Sequence, residues 1–296
     1  FPGADHPLSI VQIDHTPVDL ILVDEINRIP IGRPWITVAI DLYSRMIVGY
    51  YLSFDSPNFL SVGLCISHSI LPKEKWLLNL GVDGEWPCWG KMKTIHTDNA
   101  KEFRSKAMER SCMDYGINIE WRPCGKPYWG GHIERLLGTF AKEIHDLPGT
   151  TFSNTKERKE YKSEKKAALT LREFEKWLAT FIVNVYHKRL HSSLEMSPLE
   201  KFEQGVMGTN GQNGVGLQPR ITDESRIKLD FMPYVERTVQ EYGVMIENIH
   251  YYSDVIKKWV HKTDLTSGKA KLKKKFIFKY DPRDLSCVYF FDPELK

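Results

Sequence analysis

The amino-acid sequence predicts a mixed α/β domain followed by a small domain built of strands. Strand-like and helix-like segments alternate through the N-terminal part, whereas the C-terminal part alternates apolar and polar residues as strands do. A glycine-rich stretch without periodicity, GVMGTNGQNGVGLQPR, occupies 205–220 between them. We therefore expect an α/β domain over 1–204, a linker over 205–226 and a small barrel over 227–296.

The composition is that of a globular protein and excludes several classes. The chain has 296 residues, of which 42% are apolar and 27% charged, and its formal net charge is +3. The five cysteines form no CxxC pair, which favours free thiols in the cytosol over disulfides or zinc. No apolar run is long enough to span a membrane. Because the chain begins at Phe1 without Met, we expect a piece of a longer protein.

Four apolar segments rich in β-branched residues open the chain. They are SIVQIDH at 9–15, VDLILVDE at 18–25, WITVAIDLYS at 35–44 and MIVGYYLSFD at 46–55. The turn residues Pro30, Gly32 and Pro34 separate the second segment from the third, and Ser44–Arg45 separates the last two. This pattern predicts an antiparallel meander.

Helices and strands then alternate. The sequence predicts a helix from Ser56 or Asn58 to Ser69, a strand at 92–98, a helix at 100–116, a strand at 117–121, a helix opening at PYWGG (127–131) and a capped helix at 170–190. The polar, lysine-rich segment at 148–169 is expected to be a solvated insertion.

Three acidic residues stand at unusual places in this pattern. Asp14 lies inside the first apolar strand, Asp98 ends the strand at 92–98, and Glu134 lies one position off the apolar stripe of its helix. If the two strands are neighbours, the aspartates meet at one edge of the sheet. Any one of the three alone is more often a turn, cap or surface residue, and Asp98-Asn99 also reads as an N-cap for a helix at 100.

Taken together, the three acids predict a metal site. Carboxylates gathered at one point repel one another unless divalent cations lie between them. Oxygen ligands without Cys or His suit Mg²⁺ or Mn²⁺. Two such ions activate an attacking oxygen and stabilise a leaving oxygen at a phosphodiester. We therefore expect in-line phosphoryl transfer at two metal ions.

The order of these motifs resembles that of a known superfamily. A strand Asp, then HTDNAKEF (96–103), then GGHIER (130–135) is similar to the DDE catalytic core of retroviral integrases and Mu-type transposases, with 35 residues between Asp98 and Glu134. RPWITVAIDLYSRMIVGYYLSFDSP (33–57) and LHSSLEMSPLEKFEQG (190–205) also resemble it. The tail, with ERTVQEYGVMIENIHYYSD at 236–254, resembles the small barrel of Mu and TnsB-type transposases, and TnsB-type transposases are the best single match.

The resemblance implies a fold and an activity. It implies an RNase H-like five-stranded mixed sheet and a transposase that cleaves transposon 3′ ends and joins them to target DNA. Asp14 would bridge both ions, while Asp98 and Glu134 would each hold one. It implies a homo-oligomer on DNA in the bacterial cytoplasm, with an AAA+ ATPase and an accessory endonuclease as partners. Two alternatives stay open: an RNase H-like nuclease that only hydrolyses, and a non-catalytic DNA-binding or assembly subunit.

Several basic and aromatic residues are candidate DNA contacts. Around the Glu134 helix and after the last long helix these are Lys126, Tyr128, Arg135, Lys142 and His191. In KAKLKKKF (269–276) they are Lys271, Lys273, Lys274 and Lys275. The alternatives are a loop lysine, a packed aromatic ring, solvated charges and a helix C-terminal histidine.

Overall fold

The chain forms two compact units, described here from a computed structural model. The structure describes residues 3–100, 104–123, 125, 127–151, 163–209, 211–263 and 273–295. The first unit is Phe1–Glu224 and the second Ser225–Lys296. None of the described helices is long and apolar enough to cross a membrane.

The first unit is built on a mixed five-stranded sheet. Its strands are β1 (Ile10–Pro17), β4 (Trp35–Asp41), β5 (Ile47–Ser53), β6 (Thr94–Thr97) and β7 (Asn118–Trp121), and their order in space is β5-β4-β1-β6-β7. Strand β1 pairs antiparallel with β4, which pairs antiparallel with β5, so the predicted meander is confirmed. Strands β1, β6 and β7 run parallel.

The second predicted strand is shorter than expected. Only β2 (Leu22–Val23) is extended, and it pairs with β3 (Pro30–Gly32) in a short hairpin. The prediction that Pro30 and Gly32 are turn residues is therefore wrong. A proline is tolerated at this position because such a short strand needs few backbone donors. The predicted break at Ser44–Arg45 is a tight turn, in which Arg45 has a φ of +65°.

Seven α-helices are described in the first unit, and four of them begin at a polar side-chain cap. They are α1 (Phe59–Ile70), α2 (Glu74–Leu80), α3 (Lys106–Asp114), α4 (Gly131–Ile144), α5 (Ser163–Lys166), α6 (Leu171–Phe181) and α7 (Pro198–Met207). Thr170 closes the predicted capping box, and Asn58, one of the two predicted starts of α1, also closes one. The predicted helix at 100–116 instead begins at Lys106, where the Ser105 side chain accepts a hydrogen bond from the Met108 N–H. The predicted helix at 170–190 changes at Ile182–Tyr186 into a π-helical turn.

The glycine-rich stretch differs from the predicted linker at its start. Helix α7 continues to Met207, and a hairpin of β8 (Gly208–Thr209) and β9 (Gln212–Asn213) follows. The N–H groups of Val215 and Gly216 then donate to carbonyl oxygens inside α7. Residues up to 216 therefore fold back onto the first unit.

The second unit has few elements and one apolar core. Its described elements are α8 (Glu224–Asp230), β10 (Tyr234–Arg237), β11 (Val244–Ile246), β12 (Ile249–Tyr251), a 3-10 helix (Asp254–Trp259), β13 (Phe276–Asp281) and β14 (Asp284–Phe290). Strands β10, β13 and β14 form one sheet, and β11 with β12 another. Trp259, Phe276 and Phe278 lie in the common core. The small β domain is as predicted, built from two open sheets in its described part.

Candidate active site

Two of the three predicted acids lie side by side on neighbouring strands. Strands β1 and β6 are parallel, and Gln12 is opposite His96. Asp14 and Asp98 each lie two residues further along, so the same register places them together on one face at the C-terminal end of β6. Both side chains are half-buried. The expectation that these two strands are neighbours in the sheet is confirmed.

The contacts of Asp98 do not support its alternative role as a helix cap. Its carboxylate accepts a hydrogen bond from the Ala100 N–H at 3.0 Å, which is a local turn contact. Helix α3 has its own cap, Ser105. Asp98 is therefore a turn residue at a strand end.

Glu134 reaches this edge because a 3-10 turn (Pro127–Gly130) and α4 dock on the sheet. The Gln12 amide donates to the Trp129 carbonyl oxygen at 2.6 Å, and its nitrogen lies 3.0 Å from His96 Nδ1. These buried contacts fix the turn that leads into α4. Ile133, Leu136, Phe140 and Ile144 bury the apolar face of α4, and Glu134 stays exposed in its first turn. A carboxylate in the first turn is favoured by the helix dipole.

The Arg122 guanidinium lies close to two of the acids, Asp14 and Glu134. Arg122 follows β7, and its Nη1 lies 3.1 Å from Asp14 Oδ2, in an ion pair that is largely buried. A Cβ placed on Gly130 would lie 2.7 Å from Arg122 Nη1 and 2.8 Å from Glu134 Oε1. Asp14, Arg122 and Glu134 therefore converge on the same small space, which Gly130 leaves open.

The Arg122 backbone is also hydrogen-bonded on both its N–H and its carbonyl group. Its N–H donates to the Thr97 carbonyl at 2.8 Å, and its carbonyl accepts from the Asn99 amide at 2.8 Å. Two of its side-chain donors, Nε and Nη2, are buried and have no hydrogen-bond partner among the described residues. Buried guanidinium donors without partners are costly, so this geometry favours a ligand with acceptor oxygens beside Asp14.

Burial keeps His96 neutral beside these charges. Burial, reinforced by the nearby Arg122 charge, lowers the pKa of His96 to about 4. Its Nδ1 faces the Gln12 amide and therefore acts as an acceptor, which leaves the proton on Nε2. A neutral His96 adds no charge to compete with a cation at the acids.

The residues present fit a divalent metal in donor type. All three are carboxylates, and the Arg122 cation already lies against one of them. Within the ranges that the structure describes, no group of three or more His, Cys, Asp or Glu is drawn together closely enough to hold a metal ion. The three acids would therefore have to draw closer together to share one site.

The predicted DNA contacts near α4 separate into two groups. Lys126 lies outside the described residues, and Tyr128 belongs to the 3-10 turn although its side chain is not described. Lys142 is exposed on α4. Arg135 and His191 line a cleft on the other side of α4 from the acids.

The predicted lysines of the second unit have different surroundings. Lys271 lies outside the described residues. Lys273 donates to the Gln240 side chain at 3.0 Å, and Lys275 is exposed. The Lys274 ammonium lies 5.7 Å from the Trp259 ring centre and 5.6 Å from that of Phe276, in cation–π contact. Lys274 is therefore engaged with the core, while Lys273 and Lys275 present charge to solvent.

Sequence reasoning missed Gln12, His96 and Arg122. Gln12 and His96 are polar residues inside apolar strands, the same signal that identified Asp14, and both are fully buried. Arg122 gave no such signal, because a charged residue after a strand is ordinary. Only the chain fold places it against an acid that lies 108 residues earlier.

Two family models match the chain in the order that the two units have. Residues 12–149 match the TnsB C-terminal domain, and residues 229–296 match the Mu transposase C-terminal domain. Together the matches cover more than half of the chain, and the first contains all three acids. The chain is therefore similar to the TnsB C-terminal domain in its first unit and to the Mu transposase C-terminal domain in its second.

Curated transposases are similar to the chain over nearly its whole length. It is 26% identical over 289 residues to the transposase for transposon Tn552 of Staphylococcus aureus, covering 97% of this chain and 52% of that protein. It is 22% identical to the transposon Tn7 transposition protein TnsB of Escherichia coli, covering 96% of this chain and 42% of that protein. The chain thus spans about half the length of these transposases.

Solved structures with some likeness to this chain are integrases. The HTLV-2 integrase catalytic core domain in complex with magnesium has a TM-score of 0.37 at 14% identity, covering 68% of this chain and 99% of that one. The simian T-cell lymphotropic virus intasome in complex with the PP2A regulatory subunit B56 gamma has a TM-score of 0.45 at 11% identity, covering 97% of this chain and 76% of that one.

Proposed function

We propose that this chain is the catalytic part of a DNA transposase, which cleaves transposon 3′ ends and joins them to target DNA. One observation carries the proposal: in a chain with both transposase domains, Asp14 and Asp98 share an edge of the sheet, and Glu134 begins the helix docked beside it. Both steps are in-line displacements at a phosphodiester, first by water and then by the freed 3′-OH.

In this mechanism the protein supplies ligands, orientation and counter-charge. Asp14 would contact both cations, while Asp98 and Glu134 would each hold one. Bound Mg²⁺ or Mn²⁺ would activate the attacking oxygen and stabilise the leaving oxygen. The hydrogen bond of Gln12 to the 3-10 turn holds the start of α4, and hence Glu134, at the edge of the sheet.

Arg122 is assigned a double role in the same site. Without a cation, its guanidinium neutralises Asp14 and reduces the repulsion among the acids. With Asp14 engaged by a cation, the same guanidinium is free to donate to a phosphate oxygen, for which two donors are already unpartnered. Arg122 is thus a positioning residue for metal and a candidate contact to DNA.

The proposed partners follow from the reaction. The substrates are transposon-end DNA and target DNA. Insertion needs two ends, so we expect a homo-oligomer assembled on DNA. The resemblance to TnsB-type transposases adds an AAA+ ATPase that selects the target and an accessory endonuclease as proposed partners.

An assay on a transposon end that already carries the 3′ nick tests this function against both alternatives. A transposase joins this end to target DNA when Mg²⁺ is present and does not when EDTA replaces it. A nuclease that only hydrolyses would degrade DNA in Mg²⁺ without forming joined product. An assembly subunit would bind the end and do neither.

A further inference from the structure

A basic cleft lies on the side of α4 that faces away from the acids. It has a volume of about 250 Å³ and is bounded by β4, by the turn after it, by α4 and by the segment after the π-helical turn. The side chains that bring charge or hydrogen bonds to it are Arg45, His132, Arg135, Thr139, Arg189 and His191. No Asp or Glu is among its lining residues.

The positive groups in this cleft lie close enough to oppose one another. Burial lowers the pKa of Arg45, and the nearby Arg135 charge adds to this effect. Burial first, and then Arg45 and Arg135, lower the pKa of His132 to about 4. Burial, followed by the same two arginines, also lowers the pKa of His191. The histidines are therefore neutral hydrogen-bonding groups at neutral pH, and the charge comes from the arginines.

The acids near the cleft do not neutralise all of this charge. Asp41 is buried behind Arg45, where it accepts hydrogen bonds from Leu8 and Ser44. Glu143 pairs with Arg189 at 2.9 Å. Arg135 forms no ion pair with any residue that the structure describes, and the buried Nε of Arg45 has no hydrogen-bond partner there. Like charges held together with unused donors favour an anion between them.

We propose that this cleft binds one phosphate group of the DNA strand on which the acids act. The inference rests on the proposed function and deepens it. Arginine forks match the oxygens of a phosphate, and Arg45, Arg135 and Arg189 all line this cleft. Glu134 and Arg135 are consecutive on α4, so the cleft and the proposed metal ligands share one helix.

A small cleft of this kind favours a phosphate over an acidic peptide. Its charge is concentrated in guanidinium groups around a space of about 250 Å³, which suits a single compact anion rather than an extended chain. Leu136 and Ile40 close its floor with apolar atoms, which strengthens the electrostatic attraction to an anion by excluding water.

The test compares Arg135→Gln with Lys188→Gln, using the full chain. Lys188 is exposed near the cleft but does not line it, so its substitution removes the same charge elsewhere. We expect inorganic phosphate to raise the Tm of the wild type and of Lys188→Gln more than chloride does at equal ionic strength. Arg135→Gln should need about tenfold more phosphate for the same rise, as expected for one charge-assisted contact.

Binding to random duplex DNA provides the second arm. The log–log salt dependence of affinity should flatten by about 0.9 in Arg135→Gln, the value for one lost phosphate contact, and should stay closer to wild type in Lys188→Gln. Equal effects of the two substitutions in both arms would overturn the proposal. So would protection by a glutamate-rich peptide with no change in DNA affinity for Arg135→Gln, because the cleft would then bind an acidic protein.

These measurements require neither metal nor cleavage. A phosphate effect that depends on Arg135 would therefore survive even if the acids proved not to be catalytic. Its absence would likewise leave the assignment of Asp14, Asp98 and Glu134 untouched.

Discussion

Arg122 occupies a position at which charge matters more than packing. It lies against Asp14, and the space left by Gly130 brings it close to the Glu134 carboxylate. An arginine paired with a proposed metal ligand competes with the metal, because both cations need the same carboxylate oxygen. The same arginine lowers the repulsion that the acids would otherwise suffer in the absence of metal.

Substitution of Arg122 by Gln should tighten metal binding while weakening catalysis. Without the competing guanidinium, affinity for Mn²⁺ in the absence of DNA should rise about tenfold, the effect of roughly 1.4 kcal/mol. Strand transfer should fall, since a phosphate contact is lost. Calorimetric titration with Mn²⁺ measures the first effect, and Arg122→Lys, which keeps the charge, is the control. Unchanged or weaker Mn²⁺ binding in Arg122→Gln would show that the arginine does not compete with metal.

Gly130 tests whether the space between Arg122 and Glu134 is needed. An added Cβ would lie under 3 Å from side-chain ends of both residues, which are flexible and can move aside. Gly130→Ala should therefore fold with a stability change within about 1 kcal/mol but lose at least about tenfold in strand transfer. Gly138→Ala on the same helix is the control, because nothing lies within 4 Å of its Cβ. Equal activity in the two variants would rule out a role for this space.

The loop between α1 and α2 contains a buried charge that makes stability depend on pH. Lys73 is 1% exposed, donates to the Ser69 and Cys88 carbonyls, and lies over the Trp86 ring. Burial lowers the pKa of Lys73 to about 7. The unfolded chain, with a lysine pKa of about 10.4, therefore binds more protons between pH 7 and 10. The free energy of unfolding must rise with pH across that window.

Lys73→Met should remove this dependence. Relative to the variant, the wild type should gain up to about 1.4 kcal/mol of unfolding free energy per pH unit between pH 7 and 10. Urea unfolding at pH 7, 8 and 9 measures the difference. Lys75→Met, an exposed lysine on α2, is the control and should run parallel to the wild type. Parallel curves for wild type and Lys73→Met would mean that Lys73 is not buried in the folded protein.

At the scale of elements, the sequence predicted what depends on local chemistry. The capping box at Thr170 and the apolar stripe of α4 are local, and they are where the sequence placed them. The start of α3 was misplaced because Asp98-Asn99 reads as a cap in the sequence, whereas Ser105 caps the helix in the structure. The sequence allowed the pairing of β1 with β6 but did not predict it, and it gave no sign of the contact between Arg122 and Asp14. Both interactions join residues that are far apart in the chain.

At the scale of the whole molecule, the glycine-rich stretch bears on where the two units separate. Its first part is hydrogen-bonded to α7 as far as Gly216, and the second unit begins at Ser225. Backbone without such bonds is the preferred site of proteolysis. We therefore expect the boundary to be narrower than the predicted 205–226.

Limited proteolysis of the chain should first cut between 216 and 226, releasing a C-terminal fragment that begins there. Mass spectrometry of the early products locates the cut. Cleavage in the predicted insertion at 148–169 is a separate event and would not bear on the boundary. Preferential cleavage inside 1–147 would mean that the first unit is not the compact body described here.

The Glu134→Gln variant tests whether Asp14, Asp98 and Glu134 form one catalytic metal site. Joining of a pre-nicked transposon end to target DNA in Mg²⁺ would be compared for wild type and variant, with end binding measured in parallel. We expect joining by Glu134→Gln to fall by at least about a thousandfold, as for loss of a group that stabilises transition-state charge. End binding should remain within about twofold of wild type. Strand transfer that survives in Glu134→Gln, with the variant folded and bound to the end, would contradict the account.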